Sequence, residues 1–302
     1  MKSPIVLAAC LALAACSQSD KQPEVAASPA PAPAPAAAMV DAATPAIKLY
    51  AMDCGTFTFP DVDAFADDGS MKGIARTFVD PCYLIRHPSG DLIWDTGVPE
   101  GIADSPNGID PKGDWVHIVV KKKLSDQLAE LGLKPANIKF VSLSHMHFDH
   151  TGNANLFAQS TWLVDADERA AMFSDEARKA DDFAGYSALE NSKTELIEGD
   201  ATRDVFGDGS VVIHQAPGHT PGHTVLLVKL EKSGPILLTG DMWHLRESRE
   251  KRLVPAFNFS RDQTLASMDK VEALAKLTGA RIIRQHVPED FAALPTFPMS
   301  LE

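Results

Sequence analysis

Six consecutive residues, His145-Met146-His147-Phe148-Asp149-His150, hold three imidazoles and a carboxylate just after the apolar run IKFVSLS. Such groups have little to offer a core, because each one buried without a partner costs several kcal/mol. Neutral imidazole and carboxylate do suit Zn²⁺ and its first-row neighbours, which take three or four protein ligands and leave room for water. Two histidines separated by one residue on a loop can turn both rings towards one point. Asp149 and His150, one turn further on, would face a second point beside it. A metal site needs partners from elsewhere, and three segments offer them. APGHTPGH carries His219 and His223, LLTGD ends in Asp241, and RIIRQHVP carries His286. Each is weak alone, since a histidine near a strand end is usually structural and Thr-Gly-Asp is an ordinary turn. Together they are far more specific than apart.

Each donor segment follows a stretch that reads as a strand. IKLYAMDCGTFTF (47–59), RTFVDPCYLIRH (76–87) and DLIWDTG (91–97) come first, the last two joined by a His-Pro-Ser-Gly turn. Further strands are expected at 138–144, 161–165, 194–198, 211–216, 224–230, 235–239 and 281–285. A helix is expected around 119–132, where Leu124, Leu128 and Leu131 fall at helical spacing and Gly132 sits near the end. Another, near 261–278, opens on the capping-box pair Ser260 and Gln263 and stops at Gly279. Strands first, single helices between and two halves of similar layout point to an α/β protein, a sandwich of sheets with helices outside.

The formal net charge of −13 argues against a nucleic-acid partner, whose phosphates require clustered Lys and Arg. The one basic run, Lys121-Lys122-Lys123, reads as the solvated face of the helix around 119–132. Residues 1–15 are expected to be a signal peptide: one basic residue, Lys2, then an apolar stretch too short for the roughly 20 residues a bilayer needs. Leu13-Ala14-Ala15-Cys16 resembles the lipobox of bacterial lipoproteins, in which the cysteine is acylated. An ordinary cleaved signal is the alternative. Ser17 after that cysteine leans towards the outer membrane, facing the periplasm. Residues 16–46 read as an Ala/Pro-rich tether, with Pro29, Pro31, Pro33 and Pro35 at alternate positions. The folded part is expected over 47–302. Cys54 and Cys82 fall on two strands expected to be neighbours, and export would allow a disulfide. Two buried free thiols are the other reading.

The order HxHxDH, GH, TGD and a final His resembles the metallo-β-lactamase superfamily, with Asp95-Thr96-Gly97 as its early marker. The resemblance covers nearly all of 47–302. It implies an αββα sandwich with two divalent metal ions, zinc first among them, at one edge of the sheets. His145, His147 and His219 would hold the first metal, Asp149, His150 and His286 the second, and Asp241 would bridge both. His223 has no ligand role in that pattern and is expected to orient a ligand or to be structural. The activity implied is hydrolysis, in which metal-activated water attacks a carbonyl carbon and Asp149 orients it and passes a proton on.

Within the superfamily Phe148, the MDCG opening and YLIRHPSGDLIWDTG look most like the N-acyl-homoserine lactonases. The small-molecule substrate expected is therefore a lactone. Asp241 speaks against zinc β-lactamases that place Cys there, and His147 against flavodiiron oxygen reductases, which use Glu. Thioesterases of the glyoxalase II type carry a further helical domain, for which the chain after His286 has no room. Related hydrolysis of β-lactams, thioesters or phosphotriesters is the alternative, and a metal-binding lipoprotein without catalysis is a remoter one. One departure stands out: His244 takes the place where such lactonases often carry tyrosine. It is a candidate donor to the reacting carbonyl, or else it points away and caps the strand. Trp243, Phe148 and the loops 98–117 and 172–192 would supply an apolar wall for an acyl chain.

Overall fold

In the segment Thr224–Leu230, Leu226 and Val228 point one way, Val225 and Leu227 the other, and all four are buried. A strand apolar on both faces needs a layer of protein on each side. A computed structural model, which describes residues 47–302, shows those layers. The signal peptide, Cys16 and the tether lie outside the described residues.

In chain order the strands are β1 Lys48–Phe59, β2 Arg76–His87, β3 Gly90–Trp94, β4 His117–Val119, β5 Phe140–Ser142 and β6 Thr161–Asp165. They continue with β7 Thr194–Ile197, β8 Arg203–Asp204, β9 Val211–Gln215, β10 Thr224–Leu230, β11 Gly234–Leu238 and β12 Arg281–Ile283. One sheet has seven strands in the order β4-β1-β2-β3-β5-β6-β7, the other five in the order β12-β11-β10-β9-β8. In the first, β3, β5, β6 and β7 run parallel while β1, β2 and β3 form an antiparallel meander. Between the sheets lies a core in which Tyr83, Ile85, Leu92 and Trp94 meet Ile213, Leu226, Val228 and Ile236. The opposite side chains of the same strands form the two outer cores. Leu84, Ile93 and Trp162 pack on the helices Leu124–Glu130 and Ala166–Met172. Val225, Leu227 and Leu237 pack on Met268, Val271 and Ala275 of the helix Arg261–Thr278. Each large apolar side chain so buried contributes about 1.5–3 kcal/mol. The architecture is an αββα sandwich, as the resemblance implied.

Two expectations need correction. The helix expected around 119–132 spans only Leu124–Glu130, because residues 117–119 add an edge strand to β1. Lys121–Lys123 accordingly lie ahead of that helix, not on its face. Ser260, by contrast, caps the long helix as expected, its side chain accepting from the backbone N–H of Gln263. Of the two readings for the cysteines the bridged one holds: Cys54 and Cys82 form a disulfide across β1 and β2, where the register between them shifts. Gly97 rests directly on it. A Cβ there would lie 2.4 Å from Cys54 Cβ, and the residue has φ +65°. Only glycine fits both demands.

Candidate metal centre

Every expected donor sits at or just past the carboxyl end of a strand. The loop after β5 carries His145, His147, Asp149 and His150; those after β9, β11 and β12 carry His219, Asp241 and His286. The two sheets bring these ends together at one edge. His145, His147, His219 and Asp241 offer donor atoms that all lie within 4.8 Å of one another, and Asp149, His150 and His286 form a second such group.

Asp241 joins them. Its Oδ2 faces the first group, 3.5 Å from His145 Nε2 and 3.4 Å from His219 Nε2. Its Oδ1 faces the second, 3.2 Å from His150 Nε2 and 2.9 Å from His286 Nε2. Metal–ligand bonds of about 2.0–2.1 Å in a tetrahedron put donors about 3.3 Å apart. His150 Nε2 and Asp241 Oδ1 are buried and have no hydrogen-bond partner, although they lie so close. Buried polar atoms are ordinarily paired, and two left without a partner so close together fit a cation held by both. The donor set, five imidazoles and two carboxylates, suits zinc-like ions.

The far nitrogens of the rings are held as metal ligands require. Asp95 Oδ2 lies 3.0 Å from His150 Nδ1 while its Oδ1 accepts from the backbone N–H of Ser144 at 2.6 Å. Asp95 reaches both from a left-handed backbone, φ +55°, a conformation unusual outside glycine. His219 Nδ1 lies 3.1 Å from Asn258 Oδ1, and His286 Nδ1 lies 2.9 Å from the carbonyl of Val79. His223 is not a donor to either group. Its Nδ1 donates to the carbonyl of Ala216, and its Nε2 accepts from the backbone N–H of Asp241 at 3.0 Å. Burial holds that ring neutral, down at about 3, so it can accept. It holds the backbone of Asp241.

Charge follows the same geometry. Burial works against ionised Asp241, yet His286, His150 and His244 hold its carboxyl well below the usual range. Burial pushes His145 and His147 well below the ordinary histidine value. At His286 burial is outweighed by Asp241, and the ring is held up at about 9. A metal entering the second group therefore displaces protons.

A cavity of about 410 Å³ opens over Asp149, Asp241, His147, His244 and His286. Its walls are aromatic: Phe57 and Phe59 from β1, Phe78 from β2, Phe65 and Phe148 from short helical turns, and Trp115 and Phe257 from loops. Trp115 and Phe148 also wall a neighbouring cavity of about 470 Å³, to which Ile102, Ile109 and Ala184 contribute. His244 does not point away. It is buried, with Nε2 2.9 Å from Asp241 Oδ2, and lines the first cavity. Trp243 belongs elsewhere. It is buried in the outer core beneath the helix Arg261–Thr278, with Arg249 over its ring, so the expected acyl wall loses this member. The aromatic residues of β1 and β2 replace it; sequence gave no sign of them, because alternating phenylalanines in a strand look like core.

These features match known proteins. The chain matches the model of the metallo-β-lactamase superfamily over residues 77–286. It is 33% identical over 267 residues to the N-acyl homoserine lactonase AttM of Azorhizobium caulinodans, covering 83% of this chain and 96% of that one. It is 29% identical to the N-acyl homoserine lactonase AiiA of Bacillus thuringiensis subsp. kurstaki, over 72% of this chain and 84% of that one. The solved structure of an N-acyl homoserine lactone hydrolase, with N-hexanoyl-L-homoserine at its catalytic metal center, superposes with a TM-score of 0.70 at 25% identity. It covers 84% of this chain and 98% of that one. AidC, a dizinc quorum-quenching lactonase, shares the fold with a TM-score of 0.59 at 16% identity. The chain belongs to the metallo-β-lactamase superfamily, among the hydrolases related to the N-acyl homoserine lactonases.

Proposed function

We propose that this hydrolase opens the lactone ring of N-acyl homoserine lactones, using two zinc ions held by the seven donors. The observation that carries the reading is Asp241, with one oxygen turned to each donor group beneath an aromatic cavity. When bound, two such ions acidify a water and polarise a carbonyl. The chain's own residues do the rest. The cavity floor presents Asp149 and His244 on the same side as the donors, so a lactone seated there has its carbonyl against them. His244 Nε2 donates to the carbonyl or ring oxygen as charge develops on it. Asp149 takes the proton of the attacking water and returns it to the alkoxide that leaves when the ring opens. The aromatic walls bind the acyl chain and keep bulk water out.

The test is a hydrolysis screen of zinc-loaded protein against N-acyl homoserine lactones, simple esters, thioesters, β-lactams and phosphotriesters, with elemental analysis alongside. About two metals per chain and the highest kcat/KM on lactones are expected. Turnover retained at a metal content near zero, or preference for another bond class, rejects the proposal. We further propose that the chain is exported and anchored through acylated Cys16, at the outer membrane facing the periplasm. The disulfide suits an oxidising compartment. Cys16→Ser should then leave the membrane fraction or stay unprocessed, whereas equal partitioning of parent and variant refutes acylation.

A further inference from the structure

The loops that supply the first donor group are joined beside Ser144, whose carbonyl accepts from the backbone N–H of Thr224 at 2.8 Å, but their tips, which carry His147 and His219, need a further tie to hold the rings together. Glu168, in the helix Ala166–Met172, lies between them. Its Oε1 accepts from the backbone N–H of Met146 at 2.7 Å, and its Oε2 accepts from that of Gly222 at 2.8 Å. Met146 stands between His145 and His147. Gly222 lies three residues after His219 and directly before His223, which holds the backbone of Asp241. We infer that Glu168 is a positioning residue, a buried carboxylate that fixes the two ligand loops at the spacing the first metal needs. The inference rests on the reading of the site as metal-binding.

The surroundings argue that this is a built device. Glu168 is only 2% exposed, and a buried carboxylate is tolerated when its lone pairs are filled by N–H donors. Gly222 meets the start of the helix so closely that a Cβ would fall 2.1 Å from Asp165 Oδ1 and 2.5 Å from Glu168 N. Asp165 caps this helix through the N–H groups of Asp167 and Glu168, and its Oδ2 accepts from Gln215 Nε2 at 2.7 Å, at the end of β9. The helix start is thus pinned to the strand that leads into His219, and Glu168 reaches from it to both loops. A carboxylate is needed because two N–H groups approach, one at each oxygen. Glutamine would meet one of them with an N–H₂ and release that loop.

Glu168→Gln should bind Zn²⁺ about 10–100-fold more weakly in competition with a chromophoric chelator, the usual cost of losing a group that orients metal ligands. The visible spectrum of the Co²⁺-loaded variant should differ from the parent's, since it reports geometry at the ion. Leu230→Ala is the control. It truncates a buried side chain at the far end of β10, about 20 Å along the strand from Thr224, and should lower Tm without moving affinity or spectrum. If Glu168→Gln lowers Tm but keeps the parent's Zn²⁺ affinity and Co²⁺ spectrum, the residue is merely structural and the inference is overturned. Should that variant fail to fold, Glu168→Asp keeps both acceptor oxygens one methylene short, and the same two readouts decide. A parent that binds no Zn²⁺ fails differently: it removes the metal reading itself.

Discussion

Removing the disulfide is a perturbation whose size can be worked out from the chain. Cys54 and Cys82 are 28 residues apart. Closing a loop of that length removes about 12 cal/mol/K from the unfolded chain in the entropy model, or about 3.6 kcal/mol at 25 °C. That is a factor of about 400 in the folding equilibrium at 1.36 kcal/mol per tenfold. β1 and β2 are paired on both sides of the bridge and remain neighbours without it. The double variant Cys54→Ser, Cys82→Ser should therefore unfold at a urea midpoint lower by about 1 M, for an m-value of about 3 kcal/mol/M. Metal-free protein in chelator is the right sample, so that metal binding does not add to the measured stability. The site should respond as well. Gly97 rests on the bridge, and the carbonyl of Gly97 accepts from the N–H of Gly152 at 2.8 Å, just after His150. A midpoint unchanged by reduction or by the double variant would refute the reasoning.

His244→Ala should lower kcat on lactones by roughly ten- to a thousandfold, the cost of losing one donor, with metal content unchanged; His244→Tyr should recover most of it, and two variants that match the parent rule the role out. Trp115→Ala joins the two apolar cavities, so kcat/KM should shift towards longer acyl chains by about tenfold or less, a methylene in such a pocket being worth about 1 kcal/mol; an unchanged chain-length profile removes Trp115 from the acyl wall. Burial pushes Glu168 up to about 7 from its ordinary 4.5. An acid whose folded pKa is raised holds its proton more tightly when folded, so stability is lost as pH rises from about 4.5 through 7, by roughly 3 kcal/mol. Urea unfolding of chelated protein at pH 5 and pH 8 should show this loss in the parent relative to Glu168→Gln, and parallel curves would contradict it.

The fold was legible wherever pattern and local chemistry agreed. β10 carries apolar residues on both faces between a turn and Ser233-Gly234, and its expected limits match those observed. The helix Arg261–Thr278 has a capping serine at one end and Gly279 in a left-handed conformation at the other. Where tertiary context decided, pattern misled. Residues 117–119 continue an apolar run that suits a helix, but the free edge of β1 takes them as β4. β8, two residues long, has no periodicity to read; only its pairing with β9 makes it a strand.

The donors were legible for a different reason. Histidine and aspartate gathered at strand ends are costly unless something holds them, so the sequence itself raised the question, and the fold gathers them into two adjacent donor groups. The groups that orient them have no such mark. Asn258 and Glu168 are ordinary residues in a sequence, and each meets its partner only far along the chain. Glu168 meets Met146 across 22 positions and Gly222 across 54. What those partners offer is backbone N–H, which every residue but proline possesses. The identity of the candidate donors is written in their side chains; their position depends on contacts, to side chains such as Asp95 and Asn258 and to backbone, that only the fold brings together.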